Sequence, residues 1–218
     1  MHASAFAADW FHLGADLHRT TTAAPEPAMP PSDLDGLRGH TTFLMVGTLE
    51  PRKGHALVLD AFEQLWRDGL ELNLVIIGKQ GWMVDELVER LRSHPQRGER
   101  LLWLQGVSDE QLEVIYARSH CLIAASEGEG FGLPLVEAAA RGLPIVARDI
   151  PVFREVAADH AHYFNGASQE CLAGELRAWL SAFEDGQHVR SNAIPRFTWR
   201  KSAERLAKIV VGPPSVAS

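Results

Sequence analysis

Arg52 and Lys53 stand next to each other in the segment TLEPRKGH, directly after the apolar run FLMVG. A guanidinium binds phosphate oxygens as a planar fork and an ammonium binds them as a point charge, so the pair suits a diphosphate at the end of a strand. The spacing from Gly47 superficially resembles an ATP-binding P-loop, but that motif needs a glycine where Arg52 stands and a hydroxyl residue where Gly54 stands. The pattern argues against an ATPase and leaves two interpretations, a diphosphate clamp and a solvated basic turn.

A glycine-rich loop follows the apolar run CLIAAS, in the segment EGEGFGLPLVEAAARG. Its glycines, Gly128, Gly130 and Gly132, would let the backbone come close to a ligand. The loop leads into a predicted helix, and the backbone amides around Phe131 and Leu133 would be free at its N-terminus. Amides in that position favour a bound anion. The loop is therefore a second candidate for contact with phosphate.

Two acidic residues, Glu129 and Glu137, are separated by seven residues in this segment. We expect Glu137 in the first turn of the helix, where its carboxylate could accept hydrogen bonds from ligand hydroxyls. A lone glutamate on a helix is more often a solvated surface residue. That alternative is weakened by the apolar neighbours Leu135, Val136 and Ala138, because a carboxylate among them needs a partner.

These residues need a scaffold, and the rhythm of the chain from residue 41 onward predicts one. Six short apolar runs, TFLMVG, NLVIIG, LLWLQG, CLIAAS, PIVAR and HYF, alternate with segments of helical period. Buried strands that alternate with helices indicate an α/β fold, a single Rossmann-like domain with a parallel sheet of about six strands flanked by helices. In such sheets ligands bind beyond the carboxyl ends of the strands.

The helical segments carry their apolar residues on one stripe each. The expected stripes are Val58, Phe62, Leu65 and Trp66; Val84, Leu87, Val88 and Leu91; Leu112 and Ile115; Leu172, Leu176, Trp179 and Phe183; and Ala203, Leu206, Ala207 and Val210. Ser108 and Gln111 have the spacing of a capping box at a helix start. Trp82, Trp103, Trp179 and Trp199 are expected to pack between helices and sheet. We divide the chain into an N-terminal linker segment (1–40), the Rossmann-like domain (41–196) and a C-terminal helix with its tail (197–218).

Composition excludes several classes of protein. With 21 Lys and Arg against 28 Asp and Glu, the net charge of −7 argues against a nucleic-acid-binding domain. No apolar run is long enough for a transmembrane segment and no signal peptide is evident, so we expect a cytoplasmic protein. The two cysteines, Cys121 and Cys171, lie in apolar stretches and favour buried thiols in a reducing compartment.

A metal site is not expected. The pair Asp33 and Asp35 forms a DxD triplet, but it lies in a proline-rich segment instead of after a strand. His160 and His162 could share one side of a strand, with no third ligand in view.

Several separated segments resemble the retaining GT-B glycosyltransferases of family four, in the order found there. SEGEGFGLPLVEAAARGLPIVARDIPVFREV resembles the family's signature with its two glutamates, and VGTLEPRKGHALVLDAF resembles its first strand with the Arg–Lys pair. LVIIGKQGW and LQGVSDEQLEVIYARSHCLIAAS are similar to the second and third units. The resemblance covers residues 41 to 165 and implies the donor-binding, C-terminal half of a GT-B fold.

The resemblance also implies roles for individual residues. Arg52 and Lys53 are similar to the pair that neutralises the donor diphosphate and stabilises the leaving group. Glu137 resembles the acid that binds the ribose hydroxyls, and Glu129 resembles the glutamate that faces the donor sugar.

Further positions would complete the binding site. Backbone amides for the sugar and the phosphates would come from Gly130, Phe131, Gly132 and Leu133. Gly106 and Val107 match the region that packs against the base, and Gly47 ends a strand near the site.

The family's activity sets the functional expectation. It is metal-independent transfer of a hexose from a nucleoside-diphosphate sugar to a glycan or lipid-linked acceptor, without a cofactor, with GDP-mannose preferred as donor and UDP-sugars left open. WFHLGADL and residues 197 to 211 resemble the crossings to an N-terminal GT-B domain, which is missing from this sequence. We therefore expect the chain to be inactive or weakly active alone, cytoplasmic, and peripheral at the inner membrane face if it binds there. The alternatives are a non-catalytic nucleotide-sugar-binding module and a related GT-B enzyme such as a sugar-nucleotide epimerase.

Overall fold

Each of the six apolar runs forms a strand in the computed structural model, which describes residues 39–195 and 198–211. The strands are β1 Thr41–Val46, β2 Leu72–Ile77, β3 Leu101–Leu104, β4 Cys121–Ala124, β5 Ile145–Arg148 and β6 His162–Phe164. All neighbouring strands run parallel, in the order β3-β2-β1-β4-β5-β6. The predicted α/β fold with a six-stranded parallel sheet is confirmed.

The strand order reverses between β1 and β4, which places a crevice at their carboxyl ends. The β1–β4 ladder is short, since it pairs Phe43 with Cys121 and Leu44 with Leu122. By contrast, β1 pairs with β2 along all of Thr41–Val46. The carboxyl ends of β1 and β4 therefore part from each other directly below their loops.

Seven helices in the described part of the chain connect and cover the strands. They are α1 His55–Arg67, α2 Asp85–Ser93, α3 Asp109–Arg118, α4 Leu133–Ala140, α5 Pro151–Ala157, α6 Gln169–Glu184 and α7 Trp199–Val211, and a short 3-10 helix spans Pro51–Lys53. Helices α1, α2 and α6 pack on one face of the sheet, and α3, α4 and α5 pack on the other. The apolar stripes predicted for α1, α2 and α6 lie in the first of these two cores.

Local signals in the sequence place some helix ends correctly and others not. The capping box of α3 is confirmed, because the Ser108 hydroxyl accepts from the Gln111 amide and the Gln111 side chain accepts from the Ser108 amide. Val84 is buried but precedes α2 instead of lying in it. The packing expected for Trp82 is wrong: this residue lies in the loop before α2 and is 57% exposed. The packing expected for Trp199 on α7 is also wrong, since this residue is exposed, as are Leu206 and Val210.

The predicted outer segments are only partly described. Residues 1–38, with the DxD pair Asp33 and Asp35, lie outside the described residues, as do 196–197 and the tail from 212. The boundaries of the three predicted segments therefore stay a prediction. Among the helices that the structure describes, none is long and apolar enough to cross a membrane.

Candidate functional site

A groove of about 660 Å³ opens where the loops after β1 and β4 meet at the carboxyl edge of the sheet. Its size is that of a small-ligand site. Most residues predicted for the site line it, namely Gly47, Arg52, Lys53, Glu129, Gly130, Phe131, Gly132, Leu133 and Glu137. The structure thus brings together two sets of residues that are far apart in the sequence.

The two loops are held together by their backbones. Gly54 has a φ of +73°, and a Cβ there would stand 2.4 Å from the carbonyl oxygen of Ala125. Only glycine permits this approach together with this conformation. Beside it, the Glu127 amide donates to the Arg52 carbonyl at 2.8 Å. These contacts fix the turn that carries the two cations against the loop that carries Glu129.

Glu129 is the centre of the polar contacts in the groove. The Lys53 ammonium donates a hydrogen bond to its carboxylate and forms an ion pair with it. The Ser126 hydroxyl donates to the same carboxylate at 2.7 Å. Arg52 approaches it at 3.4 Å and donates more directly, at 2.9 Å, to the carbonyl of Gly128. Glu129 therefore orders both cations and the loop itself.

The electrostatics of Glu129 favour its ionised form. Its side chain is only 12% exposed, and burial alone would raise the pKa of its carboxyl group. Hydrogen bonds from Lys53 and Ser126, with the charges of Lys53 and Arg52, outweigh burial and hold the pKa of Glu129 below its usual value. Arg52 also contacts Glu50 at 2.9 Å, so two cations and two carboxylates meet at this end of the groove.

Glu137 faces the groove from α4, but one turn later than expected. Helix α4 begins at Leu133, so Glu137 lies in its second turn and the prediction of a first-turn position is wrong. The reason is that Gly132, with a φ of +87°, already caps the helix. The Tyr116 hydroxyl donates to Glu137 Oε2 at 3.0 Å. The partner that we expect for a carboxylate among apolar neighbours is therefore Tyr116.

The N-terminus of α4, where the sequence predicts contact with an anion, borders the groove. Pro134 occupies the first turn, where its missing N–H costs no hydrogen bond. A Cβ on Gly132 would stand 3.0 Å from the ring of Phe153, whereas one on Gly130 would meet nothing within 4 Å in the described structure. Gly132 is thus required for packing, and Gly130 leaves space above the groove.

Gly106 and Val107 do not lie with the others. They follow β3, at the edge of the sheet, and do not line the groove formed by the described residues. Val107 is half-buried and packs against the core on the α3, α4 and α5 face of the sheet. Their contact with a nucleotide base stays a prediction.

His55 is a polar residue that the sequence reasoning missed. It is 2% exposed at the first position of α1, and its Nδ1 has no hydrogen-bond partner among the described residues. It lines a cavity of about 20 Å³, the size of one water molecule, with Lys53, Ser126 and Glu129. Burial, and then the charge of Lys53, lower the pKa of His55 to about 4, so it is neutral at physiological pH. In the sequence, only its place at the start of the apolar helix α1 indicates that this histidine is buried.

His160 and His162 do not share one side of a strand as expected, because His160 precedes β6. His162 lies in β6, and its Nε2 contacts Glu175 at 2.9 Å. Within the ranges 39–195 and 198–211, no three residues with metal-binding side chains form a cluster. The DxD pair cannot be placed, since it lies outside those ranges.

Comparison with known proteins agrees with this geometry. The family described as glycosyl transferases group 1 matches residues 37–196, which is most of the chain. The chain belongs to this family. The match covers all six strands and both loops of the groove.

Curated relatives of this group 1 chain include mannosyltransferases. It is 52% identical over 198 residues to the serotype-specific mannosyltransferase WbdA of Escherichia coli. That alignment covers 91% of this chain and 24% of WbdA, so the chain spans about a quarter of the length of these relatives. It is also 28% identical over 156 residues to the O-antigen chain mannosyltransferase RfbU of Salmonella typhimurium, covering 71% of this chain and 40% of RfbU.

Solved structures share the fold. Anabaena HepE in complex with UDP-glucose superimposes with a TM-score of 0.69 at 17% identity, over 85% of this chain and 54% of HepE. The C-terminal domain of the group 1 protein LpcC from Francisella tularensis superimposes with a TM-score of 0.58 at 16% identity, over 78% of this chain and 85% of that domain. These likenesses support the group 1 fold as a Rossmann-like unit.

Proposed function

We propose that this chain is the donor-binding part of a retaining glycosyltransferase that transfers a hexose from a nucleoside-diphosphate sugar. Mannose from GDP-mannose is the preferred donor, because curated relatives bear the name mannosyltransferase. The acceptor is a glycan or a lipid-linked glycan. An N-terminal GT-B domain supplies the acceptor contacts, and the reaction takes place in the cytoplasm, at the inner membrane face when the acceptor is lipid-linked.

The observation that supports this function most is the meeting of Arg52, Lys53, Glu129 and Glu137 in one groove at the switch point of the sheet. The cations suit a diphosphate, and the carboxylates suit the hydroxyls of ribose and sugar. The N-terminus of α4 adds backbone amides for anionic oxygens. A nucleoside-diphosphate sugar carries all of these groups.

The proposed mechanism places no covalent step on the protein. The bond between the anomeric carbon and the diphosphate oxygen breaks while the acceptor oxygen bonds to the same face of that carbon. The acceptor proton passes to the departing phosphate. Arg52 and Lys53 stabilise the negative charge that grows on the diphosphate, which is electrostatic stabilisation of the transition state without a metal or cofactor.

Glu129 and Glu137 bind and orient in this mechanism. Glu129 holds Lys53 in place and presents its carboxylate to hydroxyls of the donor sugar. Glu137 accepts hydrogen bonds from the ribose. The backbone of the loop from Gly130 to Leu133 contacts sugar and phosphates.

A second candidate is a binding module that holds a nucleotide sugar without turnover. Its donor groove would be the same one, but no sugar would be transferred. A third, an epimerase of related fold, would convert the donor with no acceptor present. Product analysis with GDP-mannose and UDP-glucose separates these three functions.

Calorimetry with GDP and GDP-mannose tests the binding site. Glu137→Ala should weaken the binding of both ligands about tenfold or more, the cost of a charged hydrogen bond. Glu89→Ala, on the exposed side of α2, is the matched control and should change nothing. Unchanged affinity of the Glu137 variant would remove this residue from the site.

A further inference from the structure

Glu137 contacts a set of side chains that do not line the groove. Tyr116, on α3, donates its hydroxyl to Glu137 Oε2 at 3.0 Å. Tyr116 is only 2% exposed, so water does not compete freely for this hydroxyl. One carboxylate oxygen of Glu137 therefore has a fixed protein donor, and Glu137 itself lines the groove.

The ring of Tyr116 is itself fixed. The guanidinium carbon of Arg141 lies 4.3 Å from the centroid of this ring, a cation–π distance. Arg141 forms a two-bond fork with Glu113, one turn before Tyr116 on α3. It also donates to the Glu137 carbonyl at 2.6 Å. Two adjacent helices thus share one closed network of four side chains.

The protonation of Tyr116 suits a permanent donor. Burial, and then the negative charge of Glu137, raise the pKa of the Tyr116 hydroxyl far above its usual value. The hydroxyl therefore stays protonated at physiological pH and donates to the Glu137 carboxylate. A hydrogen-bonded network that includes a buried residue such as Tyr116 restricts the orientation of its members.

We propose that Tyr116 is a positioning residue for nucleotide recognition: it orients the Glu137 carboxylate so that this group accepts hydrogen bonds from both hydroxyls of the ribose. This inference rests on the proposed function, in which Glu137 binds the ribose. Arg141 and Glu113 act one step further back, since they hold the ring of Tyr116. Tyr116 touches neither the nucleotide nor the reacting atoms.

A role in packing alone makes a different prediction. Loss of packing would weaken the binding of every ligand that uses the fold. Loss of Glu137 orientation weakens only ligands that carry ribose hydroxyls. A pair of nucleotides that differs in those hydroxyls therefore separates the two roles.

The experiment compares GDP with 2′,3′-dideoxy-GDP by calorimetry on the full chain. Tyr116→Phe keeps the ring under Arg141 and removes only the hydroxyl. We expect it to weaken GDP binding about fivefold to tenfold, within the usual net contribution of one hydrogen bond. Binding of the dideoxy nucleotide should stay within a factor of two, about the precision of such a comparison.

The chain offers a matched control in its other tyrosine. Tyr163 also lies under an arginine, Arg154, and its hydroxyl donates to the Phe153 carbonyl at 3.1 Å. Its contacts are on the β6 side of the sheet and outside the groove. Tyr163→Phe should leave the affinities for both nucleotides unchanged.

A double-mutant cycle completes the test. In the Glu137→Ala background, Tyr116→Phe should have no further effect, because the group that it orients is gone. If Tyr116→Phe weakens the binding of both nucleotides equally, or of neither, the inference is overturned. The proposed function still stands in that case if Glu137→Ala shows a ribose-dependent loss of binding. No ribose-dependent loss in Glu137→Ala overturns both. If Tyr116→Phe does not fold, Arg141→Lys carries the same comparison, since it loses the fork to Glu113.

Discussion

The ammonium group of Lys53 contacts the carboxylate of Glu129 across the switch point of the sheet, although the two residues are 76 positions apart. Their pairing joins the turn after β1 to the loop after β4. It also means that the cation expected to bind phosphate already has an anionic partner. In the proposed function, a diphosphate in the groove shares Lys53 with Glu129, which couples the phosphate end of the proposed site to its sugar end.

This coupling makes Lys53 a test of where the diphosphate binds. Lys53→Met should weaken the binding of GDP about tenfold or more, because it removes a charge beside the phosphates, and should leave guanosine unaffected. Calorimetry with both ligands measures the difference. Lys201→Met, on the exposed side of α7, is the control. An equal loss for nucleotide and nucleoside would place the diphosphate elsewhere.

The close approach of Gly54 to Ala125 predicts a large effect on stability. Gly54→Ala combines an unfavourable φ with a clash against the Ala125 carbonyl, and should lower the free energy of unfolding by about 2–5 kcal/mol. Gly69 has a similar φ of +85°, but a Cβ there meets nothing within 4 Å in the described structure. Gly69→Ala should therefore cost only about 1–2 kcal/mol. Urea unfolding measures both, and equal losses would mean that the loops do not press on each other.

Neutral His55 predicts a dependence of stability on pH. The pKa of a histidine is about 6.5 in the unfolded chain and about 4 for buried His55, so the unfolded state binds more protons between these values. The free energy of unfolding therefore falls as the pH is lowered from about 6.5 to 4, and His55 accounts for up to about 3 kcal/mol of that fall.

His55→Gln removes the titrating group and keeps a polar side chain. Urea unfolding of the variant and the unmodified protein at pH 7.5 and pH 4.5 should show a smaller loss of stability in the variant. Equal losses would show that His55 is already protonated in the folded protein or does not contribute.

The capping box of α3 matters because this helix carries Tyr116. Ser108→Ala removes the hydroxyl that accepts from the Gln111 amide and should lower the free energy of unfolding by about 1 kcal/mol. Ser93→Ala is the control: it removes a hydroxyl at the C-terminal end of α2 and should lower the free energy of unfolding by less. Thermal unfolding compares the two variants, and a loss no larger for Ser108 would contradict the importance of the cap.

The sheet could be predicted because its signals are local. Runs such as NLVIIG and CLIAAS are buried on both faces, and only a parallel sheet covered by helices accommodates them. The capping box of α3 is also a local signal, because Ser108 and Gln111 are only three positions apart. The residues of the groove were found through types and motifs that stay close together in the sequence.

The missed features depend on contacts between distant elements. Nothing near Tyr116 in the sequence indicates that its hydroxyl meets Glu137, since the two lie on different helices. Glu137 was placed one turn early because the helix start depends on the conformation of Gly132. Trp82 was expected to be buried because it is apolar, yet the turn before α2 directs it outward.

The brevity of the β1–β4 ladder has a consequence for the order of folding. The strands β1 to β3 come from residues 41–104 and pair with one another, and β4 to β6 come from residues 121–164 and do the same. Within the described sheet, the ladder between these halves pairs only Phe43 with Cys121 and Leu44 with Leu122, across the longest sequence separation of any strand pair. Since closing a long loop costs entropy before its contacts form, each half should gain protection first and the seam last in pulse-labelled hydrogen exchange. The groove would then be the last part of the protein to take shape.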